Sequence, residues 1–256
     1  MNLDFHVHGL LSRKSSFNEE FFLLGIENAK EQGLDGFILC DHFNAENIDQ
    51  MYKYLEENYE YSGDRYSVNG FYVFLGIEVN IKNGGHVIVA GNREDINSIR
   101  GVLIQYCAKS NFIPLKQLLD LAERHKCLTI GCHPYRGSHK LCLQDKDELK
   151  RLDALDLNAK DIFNRGQSQV EAEVSSLAEE LEIPFVTGSD SHFPMQLGSV
   201  KSIFSREFHN IKELKDELKL RSHGVYVSPA LDLKVFSAKI AKRYIKKLEA
   251  KEIINE

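Results

Sequence analysis

Short runs of β-branched and aromatic residues alternate along this chain with longer stretches whose apolar positions recur every three or four residues. Asn2–Val7 predicts a first strand. Ser16-Phe-Asn-Glu19 predicts a capping box, with Ser16 as N-cap, and Phe22, Leu23, Ile26 and Ala29 follow at helical spacing as far as Gly33. Gly36–Cys40 predicts a strand and Ala45–Asn58 a polar helix. Phe71–Val79 and His86–Ala90 predict two strands joined by the turn Lys82-Asn-Gly-Gly85. Further on the pattern predicts helix Leu115–His125, strand Leu128–Cys132, strand Ala154–Leu157, helix Val170–Leu181, strand Phe185–Ser189, helix Ile211–Leu220 and a last strand at Val225–Val227. Such alternation predicts parallel strands with crossover helices. At least six such steps, with no Pro- or Gly-rich linker, suit one barrel-like (β/α) domain better than two domains.

Composition narrows the class. Of 256 residues, 43% are hydrophobic and 27% charged, which is ordinary for a globular chain with a sizeable core. The longest apolar runs, GFILC and FYVFLGI, are too short to span a membrane, and no secretory leader is visible. Five cysteines without a CxxC pair argue against a disulfide framework, and the expected location is cytoplasmic. A formal charge of −6 argues against broad binding to nucleic acid but leaves room for a local phosphate pocket.

The predicted strand ends carry unusual residues. The first ends in His6-Val-His8, the second in Asp41-His42, the third in Gly76-Ile-Glu78. Leu128–Gly131 runs into His133-Pro134, and Phe185–Ser189 into Asp190-Ser-His192. His86 sits at a strand start, and an antiparallel hairpin with the Glu78 strand would bring it to the same rim. In a parallel barrel these ends converge on one face. One HxH pair alone means little, since ten histidines supply roughly 0.4 by chance. The set means more. Spacing i, i+2 puts both side chains on one face of a strand, and imidazole with carboxylate is the donor set that zinc, iron and manganese accept.

In this order the motifs resemble those of the PHP family (polymerase and histidinol phosphatase domains), over roughly the first 200 residues. The resemblance implies a distorted seven-stranded (β/α) barrel of TIM-like form, spanning residues 1–229, and hydrolysis of phosphate esters. It also implies two or three divalent metal ions, whether Zn, Mn or Fe. One would be held by His6, His8, Glu78 and Asp190, a second by Glu78, His86 and His133, and a third by His42, His192 and one more ligand soon after HxH. There the chain departs from the family: Ser12-Arg13-Lys14-Ser15-Ser16 offers no carboxylate or imidazole. Arg13 or Lys14 supplies positive charge in place of that ion, or both are solvated loop residues.

The expected activity is hydrolysis of a small phosphorylated metabolite or nucleotide by a metal-activated hydroxide. If free of metal, His42 or His192 would protonate the leaving group. Arg136, three residues past His133, is the best candidate for the phosphoryl oxygens and Arg165 the next. His139 is close enough in sequence to reach the rim. Loops Tyr59–Asn69 and Ser138–Asp145 are the places to look for specificity. Alternatives are a 5′-3′ exonuclease or nucleotide phosphatase, a protein tyrosine or histidinol phosphatase, a metal-dependent amidohydrolase, and a non-catalytic metal-binding regulatory domain. Residues 230–256 predict a basic amphipathic helix. Its stripe Phe236, Ile240, Tyr244 and Leu248 would pack on the barrel or, less simply, present a surface to RNA or protein. Membrane contact is not expected, and the oligomeric state is open.

Overall fold

The computed structural model describes residues 1–137 and 140–255, with side chains as far as Ile245. In chain order the elements are β1 (Asn2–Val7), α1 (Glu19–Glu31), β2 (Gly36–Leu39), α2 (Ile48–Asn58), β3 (Glu60–Ser62), β4 (Arg65–Val68), β5 (Phe71–Asn80) and β6 (His86–Gly91). There follow α3 (Arg93–Leu103), α4 (Leu115–Arg124), β7 (Leu128–Cys132), α5 (Lys146–Leu149), β8 (Ala154–Asn158), α6 (Ala159–Arg165) and α7 (Gln167–Leu181). The chain ends with β9 (Phe185–Gly188), β10 (Val200–Ile203), α8 (Ile211–Lys219), β11 (Gly224–Val227) and α9 (Leu231–Asn255). Among the described residues no helix is long and apolar enough to cross a membrane.

Strands pair in the order β1-β2-β5-β6-β7-β8-β9. A parallel bridge between Val7 and Ser191 brings the two ends of that row together. Two hydrogen bonds of 2.8 Å, His8 N–H to Ser191 O and Asp190 N–H to His6 O, hold the seam. The result is a nearly closed seven-stranded barrel. It is distorted because β6 runs antiparallel to both β5 and β7, while the other pairs in the ring are parallel. Strands β10 and β11 extend the sheet outside the ring beside β1.

Period-two alternation sorts the side chains. Phe74, Ile88, Ala90, Ile130 and Val186 form one buried cluster with Phe204, Phe208 and the α8 residues Ile211, Leu214 and Leu218. Val73, Leu75, Ile77, Val87 and Val89, on the opposite strand faces, pack with α1, α3 and α4. Moving along the inner face of β5 from Phe74 through Gly76, the next position is Glu78. Along β6 from Ala90 and Ile88 the next is His86. The apolar interior therefore gives way to polar residues at one end.

Several predicted details move. Asn18, not Ser16, caps α1: its side chain accepts from Phe21 N–H at 2.8 Å, and Ser15 instead pairs with Ser12. Capping from Asn18 sets Glu19 and Glu20 in the first turn, where the helix dipole favours them. The segment Tyr59–Asn69 is not a rim loop. It forms the β3–β4 hairpin, which pairs with Phe71–Phe74, the end of β5 remote from Glu78. Arg65 anchors it there on Glu207 and the Phe208 carbonyl. In α9 the buried positions are Leu231, Val235 and Ala238, whereas Phe236, Ile240 and Tyr244 are 53%, 37% and 62% exposed. The helix α9 lies against α6 and the turn Pro194–Gln196. The Leu248 side chain is outside the described residues.

Gly36 shows how closely β2 and β5 approach. A Cβ there would lie 2.6 Å from the Tyr72 carbonyl oxygen and 3.1 Å from Leu3 Cδ2. Neither the sheet backbone nor the packed leucine can yield freely. Gly36→Ala should therefore destabilise the fold by about 1–3 kcal/mol, read as a lowered urea midpoint at unchanged slope.

Candidate metal centre

Glu78 lies at the centre of the polar end, 2% exposed. Its Oε1 is 2.5 Å from His86 Nδ1, 3.4 Å from His133 Nε2 and 3.7 Å from His6 Nε2. Its Oε2 is 3.1 Å from His42 Nδ1 and 3.6 Å from His8 Nε2. Each histidine has a local cause. His6 and His8 share a face beyond an irregularity in the β1–β2 register between Asp4 and Val7. His42 is held by the bridge that continues the β2–β5 pairing, with Phe43 N–H to Glu78 O at 3.0 Å. His86 reaches the rim because β6 is reversed and opens opposite Asn80 and Cys132. His133 and Asp190 both adopt left-handed backbone, φ +30° and +52°. That conformation is costly for a side chain as bulky as imidazole, and such strain gathers at functional sites.

A surrounding set of groups orients the cluster. Asp156 Oδ2 accepts from His6 Nδ1 at 3.0 Å, which turns His6 Nε2 toward Glu78. Asn158 Nδ2 donates to the same Asp156 oxygen at 2.8 Å. His192 Nδ1 donates to Leu10 O at 3.0 Å, and its ring stacks on His8 with centroids 4.2 Å apart. Asp41 accepts from Gly9 and Leu10 N–H at 2.7 and 3.2 Å and so fixes the backbone just after His8. Asp190 is clamped: Arg136 donates to Oδ2 at 2.8 Å and Lys160 to Oδ1 at 2.7 Å, and that Oδ1 lies 3.4 Å from His8 Nε2.

The electrostatics suit a cation. Burial works to raise the Glu78 carboxyl, but His42 and His86 help bring it well below its usual range. Burial also opposes ionisation of Asp190, and there Lys160 and Arg136 prevail. Burial pushes His42 and His133 down to about 3 and lowers His192 as well, so these rings are neutral. Neutral imidazole is the ligand form. His6 Nε2 and both ring nitrogens of His133 are buried without a hydrogen bond. Nitrogen lone pairs left in this way, next to ionised carboxylates, fit metal ions.

Two separate groups bring their donor atoms within 4.8 Å of one another: His6, His8 and Asp190, and Glu78, His86 and His133. A third, His6 with Glu78 and Cys132, is chemically weaker. Burial pushes the Cys132 thiol up to about 12, and only the thiolate is a good ligand.

A family model described as PHP-associated matches residues 172–222. Among solved structures, PsfC from Pseudomonas syringae is similar at 19% identity and TM-score 0.77, over 95% of this chain and 98% of that one. A two-domain protein from Bacteroides vulgatus, described as containing a predicted PHP-like metal-dependent phosphoesterase, is similar at 15% identity and TM-score 0.53. It is covered over 69% of its length by 93% of this chain. This chain has the PHP-type barrel. The lesion-specific endonuclease PfuEndoQ from Pyrococcus furiosus is similar at 19% identity and TM-score 0.65, over 88% of this chain and 57% of its own. No curated protein matches the sequence.

Within the PHP-type barrel, the eight residues expected at the metals (His6, His8, His42, Glu78, His86, His133, Asp190 and His192) come together at one end. The two arginines do not behave as expected. Arg136 is at the rim, but its Nε, Nη1 and Nη2 donate to Asp161, Asp190 and Asn158, each at 2.8 Å. Its donors are engaged in holding Asp190. Arg165, at the end of α6, pairs with Glu173 on α7, and no contact joins it to the cluster among the described residues. The cation at the end of β8 is Lys160, five residues earlier. Burial leaves His42 and His192 neutral at pH 7, which does not favour their use as proton donors. Asp156 and Asn158 went unnoticed in the sequence, although they continue the inner-face alternation of β8 from Ala154. Near the missing third ligand, Arg13 Nη2 donates to Asn80 Oδ1 at 3.4 Å, and its charge bears on His42. His139 is outside the described residues.

Asp156 supports His6 without joining either group. Asp156→Asn should keep the fold but weaken metal binding about 10–100-fold, measured by competition with a chromophoric chelator. Unchanged affinity would remove Asp156 from the site.

Proposed function

We propose that this protein is a metal-dependent phosphoesterase acting on a small phosphorylated molecule or a nucleotide. The observation that carries the reading is the pair of His/carboxylate groups, His6 with His8 and Asp190, and the buried Glu78 with His86 and His133. His6, His8 and Asp190 would hold one divalent ion and Glu78, His86 and His133 another, with Zn, Mn or Fe all compatible with these donors. Such ions neutralise phosphoryl oxygens, lower the pKa of a bound water and steady the leaving oxygen.

The chain's own residues do the rest. Asp156 and Leu10 O hold the proton of His6 and His192 at Nδ1, so each ring presents Nε2 inward. Arg136 keeps Asp190 ionised and oriented. Lys160 bridges Asp190 to the open rim and is the protein cation placed to meet a substrate oxygen. His42 and His192 flank His8, the loop Ser12–Ser16 brings no carboxylate or imidazole to them, and Arg13 supplies positive charge on the His42 side. A nucleic-acid substrate is the second reading, favoured by the fold shared with the endonuclease. An amidohydrolase would want a bridging lysine, whereas Glu78 would be the bridging ligand on the present reading.

The test is metal analysis joined to turnover. Protein purified without chelator and reconstituted with Mn2+ or Zn2+ should hold about two ions per chain and hydrolyse phosphomonoesters or diesters. Fewer than about one ion would sink the centre, and three would assign Arg13 a different role. A full complement of metal without turnover on a broad ester panel would make this a binding domain.

His8→Ala and Asp190→Ala should each lose at least about a hundredfold in kcat while keeping the native circular dichroism. Retained turnover in either variant would remove that ligand group from the mechanism.

A further inference from the structure

The last residue of β7 is Cys132, fully buried and opposite His86 in the β6–β7 register. Strand alternation turns its side chain into the barrel, where it joins the interior cluster of Ile88, Ile130 and Cys40. Continued alternation would send His133 to the outer face. The left-handed backbone at His133, φ +30°, brings its ring to 3.4 Å from Glu78 Oε1 instead. Two consecutive residues therefore bring donor atoms to Glu78. The Cys132 sulfur, a Glu78 oxygen and a His6 ring nitrogen lie within 4.8 Å of one another, and all three residues are buried. Asp156 holds His6 Nδ1, so the nitrogen left for this group is Nε2, which is buried without a hydrogen bond. The hydrogen bond of the thiol itself is a weak one, to the Ile130 carbonyl at 3.7 Å.

His6 is thus common to two donor sets, one with His8 and Asp190 and one with Glu78 and Cys132. The sets differ in chemistry. Oxygen and imidazole donors suit manganese as well as zinc, whereas thiolate selects softer ions. For a hard ion the thiol set is the weaker of the two, and for a thiophilic ion the order reverses. We propose that Cys132, with His6 and Glu78, forms a thiophilic metal position on the barrel side of the centre, which takes Zn2+, Co2+ or Cd2+ in preference to Mn2+ or Mg2+. The metal–sulfur bond forms as the thiol proton leaves to solvent, and the charge of the cation drives that loss. No oxidant or reductant takes part. Because both sets need His6, the kind of ion decides which donors surround it. Mn2+ stays with His8 and Asp190, and a thiophilic ion moves to Cys132. This goes beyond the phosphoesterase reading, and its readouts are binding and spectroscopy.

The experiment adds one equivalent of Co2+ to the ion-free full chain and records the absorption spectrum. The wild type should develop the near-ultraviolet sulfur-to-cobalt charge-transfer band of a thiolate ligand. Cys132→Ala should lose that band. Cys40→Ala, which removes the other interior thiol, should keep it, after thermal melting shows that both variants fold. In competition with a chromophoric chelator, Cys132→Ala should bind Zn2+ and Cd2+ at least about tenfold more weakly, with Mn2+ within about threefold of the wild type. If the alanine variant does not fold, X-ray absorption at the zinc edge of the wild type decides. A sulfur neighbour at about 2.3 Å supports the position, and a shell of nitrogen and oxygen alone rejects it. A cobalt protein without the band, a band that survives Cys132→Ala, or equal losses for Zn2+ and Mn2+ would overturn the proposal. None of these outcomes depends on turnover, so a failed ester panel rejects the phosphoesterase reading and leaves this test standing.

Discussion

A carboxylate buried among five imidazoles is the constraint on which the remaining architecture depends. Glu78 is taken out of water at the end of a barrel strand, and an isolated charge there would be prohibitively expensive. His6, His8, His42, His86 and His133 surround it, each with a ring nitrogen within 3.7 Å of one or other oxygen. No single stretch of chain can deliver five rings to one point. They come from β1, the end of β2, β6 and the end of β7, and the barrel is the scaffold that makes those ends meet. The distortion belongs to the same requirement: β6 must run backwards for His86 to open, and not close, its strand at the rim.

The walls around Glu78 differ in character. On one side His86, His133 and Asn80 are buried, and burial keeps the His133 ring neutral. On the other, Asp190 is gripped by Arg136 and Lys160, and Arg136 is gripped in turn by Asp161 and Asn158. Removing one member of such a buried charged network leaves the others uncompensated, at a cost of about 3–5 kcal/mol. Asp190 can thus hold a left-handed backbone that its own side chain would not choose. Gly188, two residues before it, is needed for a different reason: a Cβ there would fall 2.4 Å from His6 Cβ and 2.6 Å from Asp156 Oδ1. The inner wall is packed up to the donors themselves, and this density fixes where they point.

Much of this arrangement was legible in the sequence. Strand ends bearing His, Asp or Glu at spacing i, i+2 reveal the rim because side-chain alternation is a local property. The family resemblance supplied an expected grouping of donors, and the structure places His6, His8 and Asp190 near one another and Glu78, His86 and His133 near one another. Other features are not local. Whether an arginine meets substrate or a carboxylate depends on which loops fold over it, so Arg136 and Arg165 looked alike in the sequence while Lys160 passed unnoticed. The α9 helix failed for a related reason. Its strongest apolar stripe, Phe236-Ile240-Tyr244, is not the one that packs, because the surface offered by α6 and the Pro194 turn accommodates the smaller face at Ala238.

Arg13 bears most directly on how the centre departs from the pattern of the family it resembles. A guanidinium cannot ligate a metal, and its charge beside His42 opposes any cation placed between His42 and His192. The same charge is useful if that space receives phosphoryl oxygen. Arg13, donating to Asn80, and Lys160, donating to Asp190, are then the two side-chain cations available to such an anion. A fixed side chain replaces an exchangeable ion, so the positive charge at that position is always present and does not depend on metal supply. The cost is in strength, since a monovalent group on an exposed loop polarises oxygen less than a divalent ion does. On the phosphoesterase reading, the loop Ser12–Ser16 thus offers a permanent anion contact in place of a third ion.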